Sequence, residues 1–182
     1  MQPHFHHCTH GVLFYKDEDT MGSDVASFIG TALRAGNPAI VIAKPQVRAR
    51  LAIELHRQHV QGTPFGEQRG RLVLLDAEET LSQFCVDGRP DAAMFRVVVG
   101  EAIAALRAPG RRIAAYGDMV DVLCQRGQYT EAIRLEAMWD ELLAKEDAAL
   151  LCGYQARLFT SPAGRSSFDA IRAAHAHSCG ET

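Results

Sequence analysis

Five short, unbroken apolar runs punctuate this chain, and between them the apolar residues recur with the period of a helix. The runs are Val12 to Tyr15, Ala39 to Ala43, Leu72 to Leu75, Ile113 to Tyr116 and Ala149 to Cys152, each bounded by turn formers or charges. Such segments, rich in β-branched and aromatic residues, read as strands buried on both faces. Strands alternating with helices form βαβ units with right-handed crossovers. The predicted fold is therefore α/β: a three-layer α/β/α sandwich around a mainly parallel sheet of five strands, or slightly more.

The helical segments carry their own start and stop signals. Val25, Phe28, Ile29, Ala32 and Leu33 lie on one face behind a Ser23/Asp24 cap, with Gly36 as the stop. Pro45 opens a second helix in which Val47, Leu51 and Leu55 recur every four residues. Asp76 and Glu79 start a short helix through Leu81 and Phe84, ended by Gly88-Arg89-Pro90. Asp91 caps a longer one whose stripe is Phe95, Val98, Val99, Ala102, Ile103 and Leu106, closed by Pro109-Gly110. Thr130 is the expected cap of a helix that turns Ile133, Met138, Trp139, Leu142 and Leu143 inward, and a last helix is expected from Ser167 to His177.

With 182 residues, 47% of them hydrophobic, the chain has material for one well-filled core and too little for two ordinary domains. Residues 1–9 are expected to be a flexible His-rich segment and 10–182 a single domain. No run reaches the roughly 18 apolar residues of a membrane span, and the His-rich start does not resemble a signal peptide. A cytoplasmic location and no membrane partner follow as expectations. A net charge of −3 without a dense basic cluster speaks against direct nucleic-acid binding. Cys8, Cys85, Cys124, Cys152 and Cys179 are widely spaced and contain no C-x-x-C pair, so they read as reduced thiols.

In an open parallel sheet, ligands bind outside the carboxyl ends of the strands. Those ends are Tyr15-Lys16-Asp17, Lys44, Asp76, Gly117-Asp118-Met119 and Tyr154-Gln155. The first loop, Tyr15 to Ser23, contains no G-x-x-x-x-G-K-[ST], and Asp17, Glu18 and Asp19 would repel a triphosphate. No G-x-S-x-G elbow is present, so no catalytic residue is assigned and the chain is not expected to be an enzyme. Asp118 reads equally as a helix cap or a ligand contact, and Cys152 as a small buried hydrophobe. Tyr15 and Tyr154 are the aromatic ligand candidates.

His4, His6, His7, Cys8 and His10 crowd the amino terminus, while His175, His177 and Cys179 lie near the other end. These side chains bind transition metals, but their spacing matches no finger pattern. No cofactor is the leading expectation, with a transition metal or haem on the terminal histidines as the alternative.

Four segments together resemble a known family: His10-Gly11-Val12-Leu13-Phe14-Tyr15-Lys16-Asp17-Glu18, Gly117-Asp118-Met119-Val120, Leu135-Glu136-x-x-Trp139 and Leu151-Cys152-Gly153-Tyr154. They are similar to the MEDS domain, the sensory domain of methanogen and methylotroph regulators, over about His10 to His177. The resemblance implies a RecA/KaiC-like core without its phosphate loop, found alone or fused to histidine kinases and DNA-binding domains. It implies the sensing of small molecules such as hydrocarbon derivatives. The family usually has Gly-Glu-Met where this chain has Gly117-Asp118-Met119, and Cys-Ala-Tyr-Pro where it has Cys152-Gly153-Tyr154-Gln155.

The candidate ligand set is accordingly His10, Phe14, Tyr15, Lys44, Asp76, Asp118, Met119, Cys152 and Tyr154. The expected role is a non-catalytic input domain that binds a small-molecule effector. Its output partner would be a separate chain such as a histidine kinase or regulator, with a homodimer possible. The alternatives are a protein-protein adaptor on a degenerate nucleotide-binding fold, a metal- or haem-responsive sensor, and residual ATP binding.

Overall fold

Parallel strands cannot be joined by tight turns, so each crossover must carry a helix. The computed structural model describes residues 9–58 and 71–176 and shows this alternation throughout. Strand β1 (His10–Tyr15) leads through α1 (Glu18–Arg34) to β2 (Ala39–Ala43), and α2 (Pro45–Arg57) leads on to β3 (Leu72–Asp76). Then come α3 (Ala77–Phe84), a small antiparallel pair, β4 (Cys85–Val86) with β5 (Arg89–Pro90), and α4 (Ala92–Phe95). A π turn over Arg96–Gly100 and α5 (Glu101–Ala104) precede β6 (Ile113–Gly117). The chain continues through α6 (Met119–Gln125), α7 (Tyr129–Leu143), β7 (Ala148–Gln155), a 3-10 turn over Ala156–Phe159, and α8 (Pro162–Ala176).

The central sheet has the order β1-β7-β6-β2-β3, with every pair parallel. Helices cover both faces, as a three-layer sandwich requires. Side chains alternate between those faces along each strand. Ile40, Ile42, Ala115, Leu150 and Cys152 pack with α3 to α8, while Val41, Ala114, Tyr116 and Leu151 pack with α1 and α2. The crossovers moving toward β3 run over the second face and those moving back toward β1 run over the first, which is what a uniform hand of crossover produces. The winding reverses between the neighbours β2 and β6. Among the described residues no helix is long and apolar enough to cross a membrane.

Several boundaries differ from the sequence reading, each for a local reason. The first helix starts earlier than Ser23/Asp24, because the Asp17 carboxylate accepts the Thr20 N–H at 2.8 Å and its hydroxyl at 3.1 Å. Of helix α6 only a cap at Asp118 was foreseen as one of two readings: every residue from Met119 to Cys124 is buried, so no amphipathic period marks it. The helix behind Asp91 is capped as expected, but its buried residues Phe95, Val99 and Ile103 are spaced by four. That spacing exceeds 3.6, and the wide π turn keeps the stripe on the core. Helix α7 starts at Tyr129 behind Gln128, one residue before Thr130, and α8 starts at Pro162, before Ser167. The last strand runs past Cys152 to Gln155, so Tyr154 is a strand residue.

Gly153 shows how closely two neighbouring strands pack. A Cβ built there would lie 2.2 Å from the Tyr116 hydroxyl, which is buried and has no hydrogen-bond partner among the described residues. Gly153→Ala should therefore destabilise the protein by about 1–3 kcal/mol, read as the midpoint of urea unfolding. In a Tyr116→Phe background the penalty should shrink, because the clashing oxygen is gone. Tyr116→Phe alone should cost nothing, since it removes an unsatisfied polar group.

Candidate functional site

The rule that ligands bind where the winding of an open sheet reverses points to the carboxyl ends of β2 and β6. Lys44 follows the first and Asp118 the second. Both are buried. The Asp118 carboxylate accepts the Lys44 N–H at 3.1 and 3.3 Å, and the Asp118 N–H donates to the Ile42 carbonyl at 3.1 Å. One turn into α6, the fully buried Asp121 accepts Lys44 Nζ at 2.5 Å, the Gln155 N–H at 2.8 Å and Gln125 Nε2 at 2.7 Å. Tyr15 completes the group: its hydroxyl donates to Asp121 at 3.5 Å and accepts from Lys44 Nζ at 3.3 Å.

These contacts form a polar lock at the strand ends. Lys44 is paired with Asp121 inside the protein. Burial raises the Asp118 pKa to about 7; the Lys44 cation opposes that shift and Asp121 reinforces it. Asp76, also a candidate ligand, caps α3 through the Glu78 and Glu79 N–H groups and pairs with Arg48 at 2.8 Å. The Gln155 N–H that holds Asp121 is a donor that a proline at this position could not supply.

A second polar group lies on the opposite face of the sheet, beneath α7 and α8. At its centre is Glu136, which has no exposed surface. It accepts the Tyr154 hydroxyl at 2.6 Å and the Cys152 thiol at 3.2 Å, and it faces His10 Nε2 at 3.1 Å and His175 Nε2 at 3.3 Å. His10 Nε2 is also 3.4 Å from Cys152 Sγ. The outer ring nitrogens are both engaged: His10 Nδ1 with Asp140 at 2.7 Å, and His175 Nδ1 with the Ile171 carbonyl at 2.7 Å. Burial alone would lower the His10 pKa, but its bonds to Asp140 and Glu136 carry it up to about 9. Burial would raise Glu136, yet the two imidazoles hold it well below the usual carboxylate range. Burial pushes the Cys152 thiol and the Tyr154 phenol well up, and Glu136 adds to both shifts.

The strand period thus divides the candidate set. Tyr15, Lys44, Asp76 and Asp118 share the carboxyl edge. His10, Phe14, Cys152 and Tyr154 face α7 and α8, with His10 at the amino end of β1. Phe14 stacks among Tyr154, Phe159 and Phe168, and Met119 is core. Asp121 and Glu136 were not assigned to a site in the sequence, and His175 entered only among the terminal histidines of the metal alternative; the two acids nonetheless carry a readable signal. Glu136 sits on the buried stripe of Ala132, Leu135 and Trp139, a charge where only apolar residues belong. Asp121 lies amid an otherwise apolar run. His4, His6, His7, Cys8, His177 and Cys179 lie outside the described residues.

Clefts open elsewhere. One of about 470 Å³, beside Arg107, Gly110, Lys145 and Asp147, and one of about 230 Å³, beside Phe28, Asn37 and Arg112, lie at the amino edge of the sheet. A third, of about 470 Å³, runs between the β4-β5 turn, the α6-α7 turn and α8.

A family model described as MEDS, methanogen/methylotroph, DcmR sensory domain, matches residues 9–175. No curated protein and no solved structure matches the chain.

The raised pKa of Asp118 gives the carboxyl edge a pH signature. In the unfolded chain this group titrates near 3.8, so its contribution to stability is complete below that value and is lost as pH rises through about 7. Asp118→Asn keeps an acceptor for the Lys44 N–H and removes the titration. Between pH 4 and 7 the stability of the natural protein should therefore fall relative to the variant, by at most about 1.4 kcal/mol per pH unit. Urea unfolding across that range reads the difference, and a constant offset would refute the assignment.

Proposed function

The chain belongs to the MEDS sensory-domain family, and from that premise we propose that it is a non-catalytic input module, binding a small-molecule effector in the cytoplasm and passing its state to a histidine kinase or transcriptional regulator. The observation that carries the non-catalytic reading is the polar lock at the carboxyl edge. A nucleotide-hydrolysing relative of such a sheet would present free backbone N–H groups and a free lysine to phosphate. In this chain an acid, Asp17, caps α1 and accepts the Thr20 N–H, and Lys44 is spent on Asp121. The phosphate-binding function of the topology is degenerate, and the side chains that replaced it bind one another.

An effector that switches the domain must prefer one arrangement of these groups over another. The carboxyl-edge lock has the form for this: Tyr15, Lys44, Asp118 and Asp121 join β1, α2, β6 and α6 through bonds that an entering polar group could exchange. Hydrocarbon derivatives with one polar atom fit an edge that is polar at its centre and apolar around it. The filled edge also favours a second reading, an adaptor that keeps only the outer surface of a nucleotide-binding fold for protein contacts.

Thermal shift and calorimetry on metal-free protein separate the two. Haloalkanes and small oxygenated hydrocarbons are expected to raise Tm, with a stabilisation that grows with ligand as RT ln(1 + [L]/Kd). ATP with Mg²⁺ is expected to give neither a shift nor turnover. Silence across the hydrocarbon series removes the effector reading and leaves the adaptor, while sustained Mg²⁺-dependent ATP hydrolysis removes both.

A further inference from the structure

Among the described residues, His10, Glu136, Cys152 and His175 each turn one ligand atom to a common point, and all four atoms lie within 4.8 Å of one another. All four residues are buried. They come from β1, α7, β7 and α8, so the tertiary fold assembles the group and no sequence spacing announces it.

Three further features fit a metal centre. The first is size. A tetrahedral zinc ion with bonds of about 2.0–2.3 Å sets its ligand atoms about 3.3–3.7 Å apart. Four separations are close to this: His10 Nε2 to Cys152 Sγ 3.4 Å, His10 Nε2 and Cys152 Sγ to Glu136 Oε2 3.1 and 3.2 Å, and His175 Nε2 to Glu136 Oε1 3.3 Å, with all four ligand atoms within 4.8 Å of one another. The second is support behind the ligands. A ligating histidine engages a carboxylate or a backbone carbonyl with its other ring nitrogen, which fixes the ring and the tautomer. His10 does this with Asp140 and His175 with the Ile171 carbonyl. The third is a poorly matched contact: among the described residues, His175 Nε2 is buried and lies 3.3 Å from a Glu136 oxygen without a well-aligned hydrogen bond. A cation between the two would bond to both.

We propose that His10 Nε2, Glu136, Cys152 Sγ and His175 Nε2 form a buried tetrahedral site for a borderline-soft divalent cation of the zinc class. On binding, the Cys152 thiol proton and the His10 Nε2 proton leave to solvent as the sulfur-metal and nitrogen-metal bonds form, so thiolate, carboxylate and two neutral imidazoles balance the two positive charges. No oxidant or reductant is needed. Four protein ligands leave no open position, so the ion clasps and does not catalyse. It joins β1 to α8, and metal occupancy sets how firmly α8 is fixed to the sheet. This site is independent of the effector reading, and either can fail without the other.

The test uses the full chain without an affinity tag, with His4, His6, His7, Cys8, His177 and Cys179 replaced by alanine to remove terminal binding, and stripped of metal. Co²⁺ is the probe. One Co²⁺ per chain should bind, with the visible bands of tetrahedral cobalt and a near-ultraviolet thiolate-to-cobalt band, and Zn²⁺ should displace it. Cys152→Ser should abolish the thiolate band while circular dichroism stays native. If that variant does not fold, His175→Gln, at the end of α8, serves instead and should weaken Co²⁺ by more than the roughly 10- to 100-fold expected for loss of a supporting partner such as Asp140. Absence of the thiolate band in the tail-substituted protein, or its persistence in folded Cys152→Ser, overturns the site.

Discussion

A carboxylate cannot be buried without partners, and among the described residues Asp118, Asp121 and Glu136 are completely buried, the last two at the centre of the largest polar groups. Leaving such a group without partners costs several kcal/mol, more than most single contacts return. Each acid therefore dictates what surrounds it. Asp121 gathers Lys44, Gln155, Gln125 and Tyr15 from four separate elements. Glu136 gathers His10, Cys152, Tyr154 and His175 from three strands and helices other than its own. The apolar layers on either side of the sheet supply most of the driving force, but they tolerate many arrangements. The two acids tolerate few, because their donors must arrive with correct geometry.

The segregation of the two centres follows from the pleat. Along β1, His10 and Phe14 point to one face and Tyr15 to the other; along β7, Cys152 and Tyr154 join the first group. A shift of register by one residue would exchange these sets and strand both carboxylates among apolar side chains. The β1-β7 pairing, which sets His10 opposite Leu150 and Tyr15 opposite Gln155, is thus held by polar as well as apolar constraints. Phe14, stacked among Tyr154, Phe159 and Phe168, seals the space between the second centre and the strand ends.

Much of the architecture was legible in the sequence because it depends on local patterns. The five sheet strands, their parallel arrangement and the caps at Asp76 and Asp91 follow from apolar runs and capping chemistry that each segment carries in itself. Helix α6 was illegible for the opposite reason: a helix buried all round has no polar face to set its period. The site was legible in composition and illegible in geometry. Tyr15, Lys44 and Asp118 were identifiable as strand-end residues, and they meet. His10, Cys152 and Tyr154 were identifiable too, but only face alternation and the docking of α7 and α8 show that they belong to a different centre. Glu136 was quoted within a motif and passed over, although a charge on the stripe of Ala132, Leu135 and Trp139 demands buried partners.

Strand β7 connects the two centres. Cys152 and Tyr154 hold Glu136 with their side chains, and one residue later the Gln155 N–H holds Asp121 with the backbone. The strand is paired on both sides, with β1 and β6, so both sets of partners are held in register by the same ladder. Gly153, between Cys152 and Tyr154, leaves room for the Tyr116 hydroxyl. Four consecutive residues, Cys152 to Gln155, one of them without a side chain, thus join opposite faces of the sheet.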